Sequence, residues 1–319
     1  MQLQFLGTGA GMPSKERNTS ALALQLYEER GTIWLFDCGE ATQHQILYTT
    51  IKPRKIEKIF ITHLHGDHLF GLPGLLSSRS FLGGTEPLTL YGPANLQQWI
   101  ESTLQLTNTH LNYLLHFVEV QEGLVFEDEQ FAVYAQLLEH VIPCYGYRIE
   151  QKPIAGALLM ERIQELGVPK GPLLGQLKNG EDVLLANGVT VASKDVVAPA
   201  KKGFVVTILG DTTYCDHAIQ LSDNADIVVH EATFDAATTK LASEYGHATN
   251  EEAATVAQKA GARFLILNHI SARFMEADCE GLQRQARQIF PATYIAYDFA
   301  QFALKDGQLV VLNEEKRFR

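Results

Sequence analysis

Cysteine is scarce: Cys38, Cys144, Cys215 and Cys279 are the only four in 319 residues, and no two form a Cys-x-x-Cys pair. That excludes a disulfide-stapled secreted scaffold and a thiolate zinc finger, and fits reduced thiols in a cytoplasmic protein. Positive charge is also short. Lysine and arginine number 26 against 37 aspartates and glutamates, a formal net charge of −11. The overall field therefore repels nucleic acid, and any phosphate backbone has to be met by local basic patches. No apolar run approaches the roughly 18 residues of a membrane span, and Met1-Gln2-Leu3-Gln4-Phe5-Leu6 carries no basic region, so neither membrane insertion nor export is expected. The 46% hydrophobic content suffices for a large core in one sizeable domain or two small ones.

Against these absences stands one dense stretch, Ile59-Phe60-Ile61-Thr62-His63-Leu64-His65-Gly66-Asp67-His68. An apolar, β-branched run ends at Thr62, and four metal-capable side chains follow at once, so the site sits at the carboxyl end of a strand. His63 and His65, two apart on extended backbone, point the same way, while Asp67 and His68 fall past the glycine turn and face the other side. One loop can thus feed two neighbouring ions. Imidazole with carboxylate suits zinc and similar divalent cations better than magnesium, which takes oxygen, or iron–sulfur clusters, which take thiolates.

Strands are predicted at 20–26, 31–36, 57–62, 87–91 and near 116–120, 124–126 and 131–137, with helices from Asp37 to about Tyr48 and over 71–80 and 93–107. Later strands at 204–209, 226–229, 263–267 and 293–297 are followed by chemistry-bearing residues, and a helix is predicted over 279–289. Gly7-Thr8-Gly9-Ala10-Gly11 follows a strand but precedes another strand, so it is not a dinucleotide fingerprint. Its glycines let the backbone turn tightly beside the metal centre. Thr249 and Glu252 form a capping-box pattern that starts a helix beside His247. The basic run Lys52-Pro53-Arg54-Lys55-Ile56-Glu57-Lys58 is a further candidate for RNA contact.

His63-Leu64-His65-Gly66-Asp67-His68 matches the His-x-His-x-Asp-His signature of the metallo-β-lactamase superfamily, and nearly the whole chain resembles the ribonuclease Z family, endonucleases that mature tRNA 3′ ends. The likeness is carried by Pro13-Ser14-Lys15-Glu16-Arg17-Asn18, similar to a Pro-x-Lys-x-Arg-Asn loop, by His230-Glu231-Ala232-Thr233, by His247, and by Ala296-Tyr297-Asp298-Phe299, similar to an Ala-x-Asp-Phe segment. The family's usual His-Ser-Thr reads His247-Ala248-Thr249 here. The resemblance implies a four-layer αββα fold with two mixed sheets face to face. It implies two Zn2+ ions per subunit, with Mn2+ or another divalent ion as substitutes. His63, His65, His140 and Asp211 would hold the first, and Asp67, His68, His269 and a bridging Asp211 the second. Asp67 would also orient the nucleophile, and Glu231 with His247 would protonate the leaving oxygen. Lys15, Arg17, Asn18 and Arg273 would meet phosphates near the cut. His230 is expected to support rather than ligate, and Cys215 to stay outside the cluster.

Residues 151–202 change character, with seven bases against five acids, six glycines and little periodicity beyond a short helix near 157–166. Long irregular inserts are usually functional or mobile. The resemblance makes this one a flexible arm, inserted in a single domain spanning 1–319, that grips the tRNA body through residues such as Lys170 and Lys178. It further implies a precursor tRNA substrate, a homodimer and a cytoplasmic location. Two other readings stand beside it: a small-molecule hydrolase of the same fold, and a non-catalytic tRNA-binding zinc protein. Structural zinc sites are usually closed and thiolate-rich, which this one is not.

Overall fold

Alternation along one strand dictates the layering. In Thr32–Phe36, Ile33 and Leu35 join the apolar cluster that holds Leu72, Leu75 and Leu76 of helix Leu72–Phe81 and Leu96 and Ile100 of helix Leu96–Leu106. Trp34 and Phe36 point the opposite way, as a period of two requires. Phe36 stacks on Phe60 at 5.0 Å between ring centroids, and Phe60 in turn meets Tyr147 of the second sheet at 5.2 Å. The Tyr147 hydroxyl donates to the Ile61 carbonyl at 2.7 Å, so the central layer is apolar yet has its polar atom satisfied. Full burial of side chains of this size stabilises by about 1.5–3 kcal/mol each.

The structure is a computed structural model that describes residues 1–313; the tail Glu314–Arg319, expected to fray, lies outside the described residues. One sheet has eight strands in the order Gln308–Asn313, Gln301–Lys305, Gln2–Gly7, Ala21–Leu26, Thr32–Phe36, Ile56–Phe60, Leu88–Gly92, Leu115–Glu119, antiparallel up to Thr32–Phe36 and parallel beyond it. The other has seven: Thr293–Ile295, Phe264–Asn268, Ile227–Glu231, Val205–Ile208, Cys144–Gln151, Phe131–Leu138, Gly123–Glu127, with the first four parallel. Val228, Leu265, Leu267 and Ile295 share a cluster with helices Asn250–Lys259 and Glu276–Ile289, which cover this sheet as the first pair covers the other. Four layers with two mixed sheets result, as expected. Among the described residues no helix is long and apolar enough to cross a membrane.

By its contacts the chain divides into two units, one of residues 1–125, 133–149 and 205 onward, the other of Phe126–Ala132 and Glu150–Phe204. The second unit carries more regular structure than its composition suggested. Helices Met160–Glu165, Pro172–Lys178 and Ser193–Val196 and the short antiparallel pair Val183–Leu184 and Thr190–Val191 close on Ile163, Val168, Leu177, Val183, Leu185, Val191 and Val196. Met160–Glu165 falls within the short helix expected near 157–166, while Pro172–Lys178 and Ser193–Val196 are too short for their spacing to register as a helical period, which is why the rest of the insert read as irregular.

Two further expectations are corrected. The helix expected from Asp37 spans only Thr42–Ile46, because Asp37 and Ala41 adopt positive φ (57° and 58°) and the segment between them bonds to the metal loop instead. Within the basic run, Lys58 is buried, paired with Glu57 at 2.7 Å and set over the Trp34 ring. Lys52, Arg54 and Lys55 stay exposed.

Candidate metal centre

Apart from His247, which follows helix Thr239–Tyr245, the side chains of the cluster come from loops at the carboxyl ends of strands, where backbone groups run out of sheet partners and side chains converge. His63 follows Ile56–Phe60, His140 follows Phe131–Leu138, Asp211 follows Val205–Ile208, Glu231 ends Ile227–Glu231 and His269 follows Phe264–Asn268. Donor atoms of His63, His65, His140 and Asp211 all lie within 4.8 Å of one another, and so do those of Asp67, His68 and His269. A third overlapping group joins Asp211, His247 and His269. Within the first set, His65 Nδ1 stands 3.0 Å from His63 Nε2 and 3.2 Å from His140 Nε2, and His63 Nε2 is 3.6 Å from Asp211 Oδ2. Within the second, His68 Nε2 and His269 Nε2 are 3.1 Å apart, with Asp67 Oδ2 3.4 and 3.3 Å and Asp211 Oδ2 3.5 Å from each. Ligands at about 2.0–2.1 Å around a tetrahedral ion stand roughly 3.4 Å from one another, so the donor sets fit such a cation.

The outer nitrogens make the fit specific. His140 Nδ1 lies 2.7 Å from the Gly246 carbonyl and His68 Nδ1 2.7 Å from Asp37 Oδ2, and both oxygens only accept. The Thr62 hydroxyl donates to Asp37 and therefore accepts from His63 Nδ1 at 2.9 Å. The Thr233 hydroxyl, 2.6 Å from Glu231 Oε2, likewise accepts from His269 Nδ1 at 2.8 Å. Four imidazoles thus carry their proton outside and turn a bare Nε2 lone pair inward. Lone pairs 3.1 Å apart repel unless a cation lies between them. Without one, a proton takes that place: burial disfavours charge on His68, yet Asp211 and Asp37 hold it protonated well above the usual histidine range. Burial likewise opposes charge on Asp211, but the His269, His68 and His63 imidazoles hold its carboxyl well below the usual range.

Glu231 is buried and saturated. Oε1 accepts from Thr212 N–H and His247 Nδ1–H, and Oε2 from both the backbone and the hydroxyl of Thr233. It stays a carboxylate: burial works against its charge, and His247 outweighs that. Burial also resists charge on His247, but the Glu231 carboxylate 2.9 Å away holds its imidazolium up to about 9. Among the described residues His247 Nε2 has no hydrogen-bond partner. The expected capping box is present, with Thr249 Oγ1 accepting from Glu252 N–H and the Glu252 carboxylate accepting from Thr249 N–H. Ala248 is fully buried and offers Phe234 N–H only its carbonyl.

The remaining sequence candidates separate. Lys15 is exposed, and so is Arg273, whose guanidinium lies 4.6 Å from the Phe234 ring centroid. Lys170 and Lys178 are exposed within the second unit. Asn18 turns its amide inward, donating to the Glu40 carbonyl at 2.7 Å. Arg17, expected at a phosphate, is 4% exposed and donates to Thr8, Ala296 and Cys279 inside the protein. His230 is buried with Nδ1 on the Glu231 carbonyl, and Cys215 caps helix Asp216–Leu221; neither joins a donor group. Sequence reasoning missed Asp37, Thr62 and Thr233, which bond the outer nitrogens of His68, His63 and His269. The one available signal was a polar residue closing an otherwise apolar strand, as Asp37 follows Trp34-Leu35-Phe36.

A family model described as "Anti-Pycsar protein Apyc1" matches residues 1–156. A relative named ribonuclease Z from Geobacillus kaustophilus is 53% identical over 307 residues, 96% of this chain and 100% of its own. The crystal structure of human tRNase Z, short form, superposes with a TM-score of 0.68 at 32% identity, covering 96% of this chain and all of that one. YhfI of Bacillus subtilis, a metallo-β-lactamase fold protein, shares the fold at a TM-score of 0.64 and 21% identity over 94% of this chain and 98% of its own.

Proposed function

The chain belongs to the ribonuclease Z family, and from that premise we propose that it is a zinc-dependent endoribonuclease that cuts precursor tRNA on its 3′ side. The products are a tRNA 3′-hydroxyl and a trailer bearing a 5′-phosphate. The observation that carries this reading is the meeting of two cation-ready donor sets with a buried carboxylate–imidazolium pair, Glu231 and His247, 2.9 Å apart. His63, His65, His140 and Asp211 would hold one Zn2+ and Asp67, His68, His269 and Asp211 the other, with Asp211 between the two. When bound, such a pair acidifies the attacking water and bears the negative charge that grows on the phosphodiester.

The protein's own groups supply the rest. Asp67 orients the attacking water and takes its proton while oxygen bonds to phosphorus and the bond to O3′ breaks. His247, locked through Nδ1 to Glu231, presents Nε2–H to the departing O3′ and leaves it as a hydroxyl. Glu231, with every acceptor position occupied, holds and charges His247 rather than giving a proton itself. Lys15 and Arg273 meet phosphates beside the cut, and Lys170 and Lys178 of the 150–204 unit grip the tRNA body as an arm. A homodimer and a cytoplasmic location complete the reading.

The test is cleavage of precursor tRNA with and without a chelator, with both new ends mapped. A chelator-sensitive cut leaving the stated termini is expected, and intact precursor beside rapid turnover of a lactam or lactone would overturn it. Asp67→Ala should abolish cleavage while leaving tRNA binding largely intact.

A further inference from the structure

Arg17 stands in a loop with the composition of a phosphate contact, yet it faces the interior. Nη1 donates to Thr8 Oγ1 at 2.6 Å and to the Ala296 carbonyl at 2.7 Å, Nη2 to Cys279 Sγ at 3.3 Å, and the guanidinium lies 4.9 Å from the Tyr297 ring centroid. The Thr8 hydroxyl accepts that bond and passes its own hydrogen to Asp298 Oδ1 at 2.7 Å. Asp298 Oδ2 accepts from Asn18 N–H at 2.7 Å and Gln45 Nε2–H at 3.0 Å. One hydroxyl therefore joins the buried Arg17 guanidinium to the half-buried Asp298 carboxylate, and both grip the loop that runs between them.

That loop reaches two members of the second donor set. The Thr8 carbonyl accepts from Ile270 N–H at 2.8 Å, and Gly9–Ala10 pairs in parallel with Ile270–Ser271, directly after His269. Three residues on from Thr8, Gly11 N–H donates to Asp67 Oδ2 at 2.7 Å. His269 itself has φ 54°, a left-handed conformation that a non-glycine residue keeps only when its surroundings hold it. The strip 8–11 thus ties Asp67 to the backbone that follows His269, and with two glycines it has little stiffness of its own.

We propose that Arg17, Thr8 and Asp298 form an internal clamp that positions Asp67 and His269 through the 8–11 strip, and that Arg17 makes no contact with substrate phosphate. The clamp acts on the chemistry and not on tRNA affinity, which rests on the roles assigned to Asp67 and His269 above. A displacement near 1 Å at such groups costs on the order of 100-fold in rate.

The test pairs Arg17→Lys, which keeps the charge but cannot span three acceptors, with Thr8→Val, which keeps both charges and the side-chain volume. In the zinc-loaded enzyme each should lower kcat about 10- to 100-fold on precursor tRNA and on bis(4-nitrophenyl) phosphate alike. KM for tRNA and its dependence on salt should not change. In the metal-free protein each should speed hydrogen exchange at the Gly11 amide. A raised KM with a salt slope flatter by about one unit, at unaltered exchange, would show Arg17 to be a phosphate contact and overturn the clamp. Thr8→Val decides alone should Arg17→Lys not fold. Should the wild type cut no precursor, the proposed function fails, while the exchange measurement still judges the clamp.

Discussion

Thr233 illustrates how one hydroxyl can orient a candidate metal ligand from outside its donor set. It accepts from His269 Nδ1 and donates to Glu231, which leaves Nε2 free to bind. Thr233→Val keeps the shape and removes both bonds, and should weaken metal affinity about 10- to 100-fold in competition with a chelator. At His247 the expected signature is selectivity by leaving group. His247→Ala should cost about 100- to 10,000-fold on tRNA, whose O3′ needs a proton, and much less on a 4-nitrophenyl ester, whose leaving group does not. Asp298 supplies a pH dependence of stability. Burial pushes its carboxyl up to about 6, against the pull of Asn18 N–H and the Thr8 hydroxyl. Its folded value lies above the unfolded one, so the charged form is penalised by folding. Stability should fall as pH rises from about 4 to about 6, by roughly 3 kcal/mol, and level off above. Denaturant midpoints across that range check this, with Asp298→Asn expected to remove the slope.

At the scale of elements, the strand ends aim the donors and small residues let those ends meet. A Cβ at Gly210 would stand 2.5 Å from Cys144 Sγ and 2.7 Å from Thr62 Cβ. Gly210→Ala should therefore push Asp211 and Thr62 apart, lowering both the melting temperature and the metal stoichiometry measured by inductively coupled plasma. Much at this scale was readable in advance. Strand Ala21–Leu26, helices Leu72–Phe81 and Leu96–Leu106 and the Thr249–Glu252 cap all fall where pattern and capping chemistry put them, because each depends on neighbours in sequence. The segment from Asp37 to Ala41 was not readable, because its left-handed residues are chosen by bonds to the Asp67–Gly71 stretch rather than by local propensity.

For the whole molecule, gathering the Asp37, Asp67 and Asp211 carboxylates and the inward lone pairs predicts that a bound cation would add to folding stability. Zinc added to metal-free protein should raise the melting temperature, corresponding to about 2.7 kcal/mol at a free concentration 100 times the dissociation constant. The second unit allows a clean excision. Leu158 and Val197 already pair in an antiparallel bridge, so a short turn can replace residues 159–196. Affinity for tRNA should then fall far more than turnover of a small phosphodiester; equal losses would make the unit a folding element instead of an arm.

By itself the sequence pointed to a divalent-cation site of imidazole and carboxylate donors and to which face of each strand enters the core. Ligand chemistry follows from residue type, and side-chain direction from a period of two. It could also place His63, His65, Asp67 and His68 in two sets, since their spacing is local. Only the tertiary structure decided that Asp37, Thr62 and Thr233 bond the outer nitrogens of the imidazoles, and that the Arg17 guanidinium faces the interior. A hydrogen bond between residues as far apart as Arg17 and Ala296 leaves no periodicity to read, and a guanidinium has the same composition whether it meets phosphate or a carbonyl.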